Sequence, residues 1–332
     1  MRRRFSPRLP TFLVGIATLA MAFGAGAEAM APELHVTAAV PTPAATHAEM
    51  LDVTRAGDRV VAVGDHGIVL LSDDDGATFR QARSVPVSSV LTGVSFADAR
   101  HGWAVGHWGL ILATIDGGET WRIQRTDTGE DRPLFSVFFL NDREGLAVGL
   151  WSLVLRTADG GKSWEQVILQ PPPEGGKADR NLFRVFGSNS KTVFVTAERG
   201  TVLRSDDGGR NWRYLTTGYS GSLWTGVVLR DGALLVGGLR GRIFRSENGG
   251  TTWQTLAIDA KSSITGLVEA ADGAVAAVGL DGVQAVSSDG GRTFKTTQRD
   301  DRSPLTGVLP VKHGLLLFSD QGVVDGTEAA KP

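Results

Sequence analysis

An eight-residue unit recurs six times in this chain, and its spacing restricts the fold more than any other feature. Residues 205–212 read SDDGGRNW, 72–79 SDDDGATF, 114–121 TIDGGETW, 157–164 TADGGKSW, 246–253 SENGGTTW and 287–294 SSDGGRTF. All fit Ser/Thr-x-Asp/Asn-x-Gly-x-Ser/Thr/Asn-aromatic. Their third positions, Asp74, Asp116, Asp159, Asp207, Asn248 and Asp289, lie 42, 43, 48, 41 and 41 residues apart. A period near 40 residues means an array of one supersecondary unit.

The unit has the chemistry of a tight hairpin turn. The carboxylate or amide at position three accepts hydrogen bonds from nearby backbone N–H groups. Glycine at position five supplies a positive φ, the hydroxyl at position one bonds across the loop, and the aromatic ring at position eight packs beneath the turn. A Ca²⁺ loop needs several acidic ligands and a closing Glu, and only the first box is rich in Asp. The boxes are therefore expected to hold the fold, with no metal and no catalytic role.

Between boxes the chain reads as four short strands per repeat. Apolar leads stand at Leu51, Leu91, Leu134, Leu182, Leu223, Ile264 and Leu305. Second strands such as GWAVG and GLAVG are apolar at successive positions, as strands covered on both faces are. Four strands in about 40 residues make a propeller blade. The expected fold is all-β: a single seven-bladed propeller over residues 32–332, its blades starting near those seven leads. The seventh repeat ends without a box, so residues 33–40 (ELHVTAAV) are expected to complete its sheet and close the ring, leaving no free edge at the seam. The interval of 48 is caused by LQPPPEGGKADRN at 169–181, whose Pro and Gly mark an inserted loop.

Residues 1–31 read as a targeting segment. Arg2, Arg3, Arg4 and Arg8 precede an apolar run at 11–23, and GAGAEAMA offers cleavage after Ala27 or Ala29. An uncleaved anchor is the other reading, and the run is shorter than the ~20 residues of a membrane span. The expectation is export to a periplasm, with the mature chain not itself membrane-spanning. With no cysteine in the chain, a disulfide framework and a thiolate zinc site are excluded. Without the four leading arginines, 30 basic residues face 36 acidic ones, which argues against nucleic acid as a partner.

The repeats at 94–121 and 137–164 carry most fully the pattern V-x-F-x-x-x-x-x-G-x-A-V-G-x-x-G-x-I/V-L-x-T-x-D-G-G-x-T/S-W. In this the chain resembles the photosystem II stability/assembly factor propellers, over essentially all of its mature length. Sialidases, xyloglucan hydrolases and sorting receptors share such Asp-boxes, so the motif is specific for fold more than for function. The resemblance implies a seven-bladed luminal or periplasmic factor that binds a membrane-protein subunit during assembly, without a cofactor and as a monomer. It also implies a basic patch that contacts the client, without assigning its positions.

In such blades the turns between strands two and three share one face with the linkers, and the boxes project from the other. The turns read Asp65-His66, His107-Trp108, Leu150-Trp151, Glu198-Arg199, Leu239-Arg240, Leu280-Asp281 and Asp320-Gln321. This gives an aromatic sector in blades two and three, a basic one in four and five, and an acidic one in six, seven and one. The partner-binding candidates are Arg199, Arg240, Trp108 and Trp151, with Arg156, Arg204 and Arg245, each one residue before a box. Arginine suits bidentate recognition of carboxylates. The last three also read as outer-strand residues with stems on neighbouring strands and solvated heads. The alternative function is a glycan-binding or glycoside-hydrolase-type propeller. A sialidase would need a tyrosine–glutamate nucleophile pair, and the chain's two tyrosines, Tyr214 and Tyr219, are both expected in the linker between blades four and five.

Overall fold

A computed structural model describes residues 37–324 apart from 128, 189 and 190. Seven antiparallel sheets follow one another along the chain, each with its strands in sequence order. The innermost strands are Met50–Ala56, Leu91–Phe96, Leu134–Phe139, Leu182–Gly187, Leu223–Val228, Ile264–Glu269 and Leu305–Val311. Each packs against the next, and the last packs against the first, so the sheets form a closed ring. This is the seven-bladed, all-β propeller expected from the repeat. Among the described residues no helix is long and apolar enough to cross a membrane.

Second strands such as Gly102–Gly106 and Gly145–Gly149 are buried at every residue. Their side chains fill the spaces between blades, where Trp103 stacks on Phe139 with the rings 5° from parallel. Such burial, at roughly 25 cal/mol per Å² of apolar surface, is the main stabilisation of a ring whose blades are too thin to fold alone.

One expectation about the ring is corrected, and another falls partly on residues that are not described. The lead of blade one is Met50, which pairs with Gly64 as Leu91 pairs with Gly106. Leu51 is the next residue, displaced by a bulge. The closing strand is expected at 33–40, and only its second half can be described. Residues 33–36 lie outside the described residues, and Thr37 to Val40 carry no strand. The Ala39 N–H donates to the Val85 carbonyl at 3.0 Å, and the Thr42 N–H to the Gln81 side chain at 3.1 Å. This segment therefore runs beside blade one, and blade seven has three strands among the described residues. The adjacent Pro41 and Pro43 lack the N–H groups a ladder requires. Among the described residues the seam is held by side chains. The Thr306 hydroxyl donates to the Met50 carbonyl. Arg55 bonds both the Asp75 carboxylate and the Pro310 carbonyl, while the Lys312 N–H donates to Asp75 at 2.7 Å.

The inserted loop is docked on the ring. Leu169 enters the core between blades three and four, and Pro172 and Arg180 are buried. The Arg180 guanidinium pairs with Glu174 and lies 5.5 Å from the ring centre of Tyr214, whose hydroxyl donates to the Gln170 carbonyl. Tyr214 belongs to the outer strand of blade four, Arg213–Thr216, rather than to the linker after it.

Candidate functional site on the turn face

The turns between strands two and three are built alike. His66, Trp108, Trp151, Arg199, Arg240 and Asp281 all take a left-handed conformation, with φ between 52 and 60°. That conformation disfavours side chains, and the following glycine makes it workable. At Gly200 an added Cβ would stand 2.0 Å from the Tyr219 carbonyl of the linker. Blade three has Ser152 in place of this glycine, and its N–H and hydroxyl both donate to the Arg180 carbonyl. The insertion is thereby fixed beneath the Trp151 turn.

Asn181, at the end of that insertion, joins two turns. Its side-chain oxygen accepts from the Trp151 N–H at 3.2 Å, while its own N–H and amide donate to the Glu198 carboxylate at 3.2 and 3.1 Å. Trp151, 51% exposed, and the exposed Arg199 are thus tied to one residue. Glu198 is held by these two bonds to Asn181 and makes no ion pair with Arg199 among the described residues. Arg199 instead lies close enough to the buried Arg180 to help lower that group's pKa, after burial itself. Arg240 stands exposed on the next turn, with Arg242 beyond it. Neither Arg199 nor Arg240 forms an ion pair among the described residues. Trp108 is half-buried, with its N–H on the Asp131 carboxylate at 2.8 Å.

The opposite sector is acidic. Burial raises the pKa of Glu49, and the carboxylates of Asp65 and Asp320 raise it further. Asp281 is occupied by Arg302 at 3.0 Å and Gln298 at 2.7 Å. The turn face is therefore polarised, with free cations over blades four and five and carboxylates across the ring.

Arg156, Arg204 and Arg245 do not join this face, and their grouping with Arg199 and Arg240 is corrected. They sit at the box end of their strands and bond into the next blade. Arg156 Nε donates to the Gly208 carbonyl at 3.1 Å, Arg204 Nη1 to Gly249 at 2.8 Å, and Arg245 Nε to Gly290 at 3.2 Å. Arg156 and Arg245 are buried, so their heads are not solvated either. Each acceptor is the fourth residue of a box. Arg59 treats Gly117 the same way, and Trp103 and Gln124 treat Gly160 so.

The boxes repeat one hydrogen-bond pattern. In the third, the Thr157 hydroxyl donates to Asp159 at 2.8 Å and accepts from the Gly161 N–H at 2.9 Å. Asp159 accepts the Ser163 N–H and hydroxyl at 3.0 and 2.6 Å. These bonds, Ser163 first, hold its pKa down at about 2. Asp74, Asp116, Asp207 and Asp289 bond alike. Asn248 differs in donating its amide to the Thr252 hydroxyl.

Sequence reasoning missed Asn181, which looks like any loop asparagine, and a set of channel-facing residues described below. The bulge that exposes those follows the first residue of every innermost strand, and residue spacing alone does not show it.

Comparison with known proteins bears on this arrangement. Residues 81–236 match the model of the family described as Photosynthesis system II assembly factor YCF48. A 48-residue stretch is 50% identical to the photosystem II stability/assembly factor HCF136, chloroplastic, of Cyanidioschyzon merolae. That match spans 14% of this chain and only 11% of the relative. Among solved structures, YCF48 bound to D1 peptide superposes with a TM-score of 0.69 at 20% identity, covering 86% of this chain and 94% of that one. YCF48 from Cyanidioschyzon merolae gives 0.67 at 17% identity, covering 86% and 96%. The propeller domain of Cps50 (Swd1) from Myceliophteria thermophila still gives 0.64 at 14%, covering 82% and 93%, so superposition at this level reports the fold. What points beyond the fold is the repeat matched over residues 81–236: in that stretch the chain is similar to the photosystem II stability/assembly factor propellers.

Proposed function

We propose that this chain is an exported, non-catalytic propeller that binds a protein partner on its turn face and assists the assembly or stability of a membrane protein complex. The observation that carries this is the pairing of an exposed Trp151 with unpaired, exposed Arg199 and Arg240 on equivalent turns of consecutive blades. Tryptophan and arginine dominate interface hot spots. The solved relative described as YCF48 bound to D1 peptide supports a protein segment as the ligand. The partner surface is acidic, because the free charges it meets are guanidinium groups.

Capture of a membrane complex from envelope membranes, with the mature chain as bait, tests this. Arg199→Ala/Arg240→Ala is expected to weaken capture by about tenfold or more with no change in melting temperature, since neither side chain is bonded. Capture should also fall with salt, because exposed charges are screened beyond about 8 Å at physiological ionic strength. Undiminished capture by the double variant moves the interface off these turns. Retention on polysaccharide resin with release of sugar would replace this reading with the glycan one.

A further inference from the structure

Each innermost strand carries a register shift just after its first residue, in all seven blades. A bulge leaves one residue unpaired and re-aims its side chain. Here that residue is the second of each strand. Innermost strands start at the turn face, so these seven residues ring the channel mouth there, and every one is half-exposed.

Blades two, six and seven place threonine at this position. The Thr92 hydroxyl donates to the Leu134 carbonyl at 2.5 Å, Thr265 to Leu305 at 2.6 Å, and Thr306 to Met50. Each hydroxyl stitches its blade to the next. Blades three, four and five have Phe135, Phe183 and Trp224 instead, which make no such stitch. Phe135 and Phe183 stack with centroids 6.0 Å apart and planes 14° from parallel. One level deeper, Arg184 of blade four reaches across to blade one. Its Nη1 donates to Asp52 Oδ1 at 2.9 Å, and the other Asp52 oxygen accepts the Val94 N–H at 3.0 Å. The Arg184 side chain stays 37% exposed. The channel mouth is thus a cup with an aromatic wall over blades three to five, threonines over blades six, seven and two with Leu51 of blade one between the last two, and an ion pair as its floor.

We propose that this cup is a socket for one bulky apolar side chain of an extended, acidic partner segment. The aromatic wall holds that side chain above the Arg184–Asp52 pair, while Arg199 and Arg240 outside take the flanking carboxylates. The charge pattern draws the acidic flanks of the segment toward blades four and five. The unpaired guanidinium groups of Arg199 and Arg240 stand on the side of the aromatic wall, and Asp65 and Asp320 stand opposite. This inference rests on the turn-face reading and names the subsite and ligand chemistry within it.

The test uses fluorescein-labelled hexapeptides blocked at both ends, with the core Asp-Phe-Asp or Asp-Ala-Asp, and the mature chain. The Phe-cored peptide should bind wild type about tenfold or more tightly than the Ala-cored one, the effect of burying one aromatic side chain. Phe135→Thr/Phe183→Thr should abolish that preference at an unchanged melting temperature, because threonine occupies the equivalent position in three other blades. Trp224→Thr reads the same wall through a single change. Arg199→Ala/Arg240→Ala should weaken both peptides alike. Equal binding of the two cores, or a full preference in the threonine variants, overturns the socket. If those variants also capture the membrane partner as wild type does, the turn-face reading survives without it. Conversely, a wild type that keeps the peptide preference but captures no membrane complex retains the socket and removes the proposed function.

Discussion

At the residue scale, the box shows how a short polar motif becomes structural. Its position-one hydroxyl is buried, as Thr157 is at 2% exposure, and it satisfies a glycine N–H while donating to the carboxylate. Thr157→Val keeps the shape and removes all three of the hydroxyl's bonds, to the Asp159 carboxylate and from the Asp159 and Gly161 N–H groups, stranding the Gly161 N–H in a buried place. The expected loss is about 1–3 kcal/mol, read as a lower midpoint in urea unfolding. An unchanged midpoint would show that the turn is held by its aromatic residue alone. The motif was legible because each partner lies within four residues of the next. Asn181 was not, since its role depends on Trp151 and Glu198, 30 and 17 residues away.

At the element scale, blades are joined by donors that reach from one strand into the next blade's box. Arg245 is the most enclosed, its side chain 2% exposed, bonding Gly290, Glu247 and Asp231. Arg245→Lys keeps the charge but loses the planar fork that serves three acceptors at once. It should cost about 1.5–3 kcal/mol, as for hydrogen bonds to a charged group, measured by chemical denaturation. Arg204→Lys, where the side chain is 21% exposed, should cost less. Equal losses at the two sites would place the stabilisation in the packing of the stems. Sequence order located these arginines on equivalent strands. It left open which end of the strand each head serves, and burial decided that.

At the scale of the whole molecule, stability should depend on acid. The Asp74 and Asp159 carboxylates titrate at about 2 in the fold against 3.8 in an ordinary chain, held down chiefly by Thr78 and Ser163. Asp75, at the seam, is lowered by the Lys312 N–H and by Arg55. Folded-state pKa values below the unfolded ones stabilise the protein above the unfolded value, and that contribution is lost as pH falls through the folded value. The melting temperature should therefore hold at neutral pH and decline below about pH 4. Asp75→Ala should melt lower at neutral pH and lose less on acidification. A melting temperature flat down to about pH 2.5 would mean that these carboxylates contribute nothing net.

The repeat alone determined the blade count, the strand order and the face each turn occupies, because those follow from local hydrogen bonds and from side-chain periodicity within about 40 residues. Tertiary structure decided the rest. The ring closes through Thr306, Arg55 and Asp75, and not, in the described residues, through a strand at 37–40. Arg184 and Asp52, 132 residues apart, meet only because the ring brings blades one and four to opposite sides of one channel. A closed ring makes neighbours of residues by angle around an axis, and linear spacing carries no record of what lies across it.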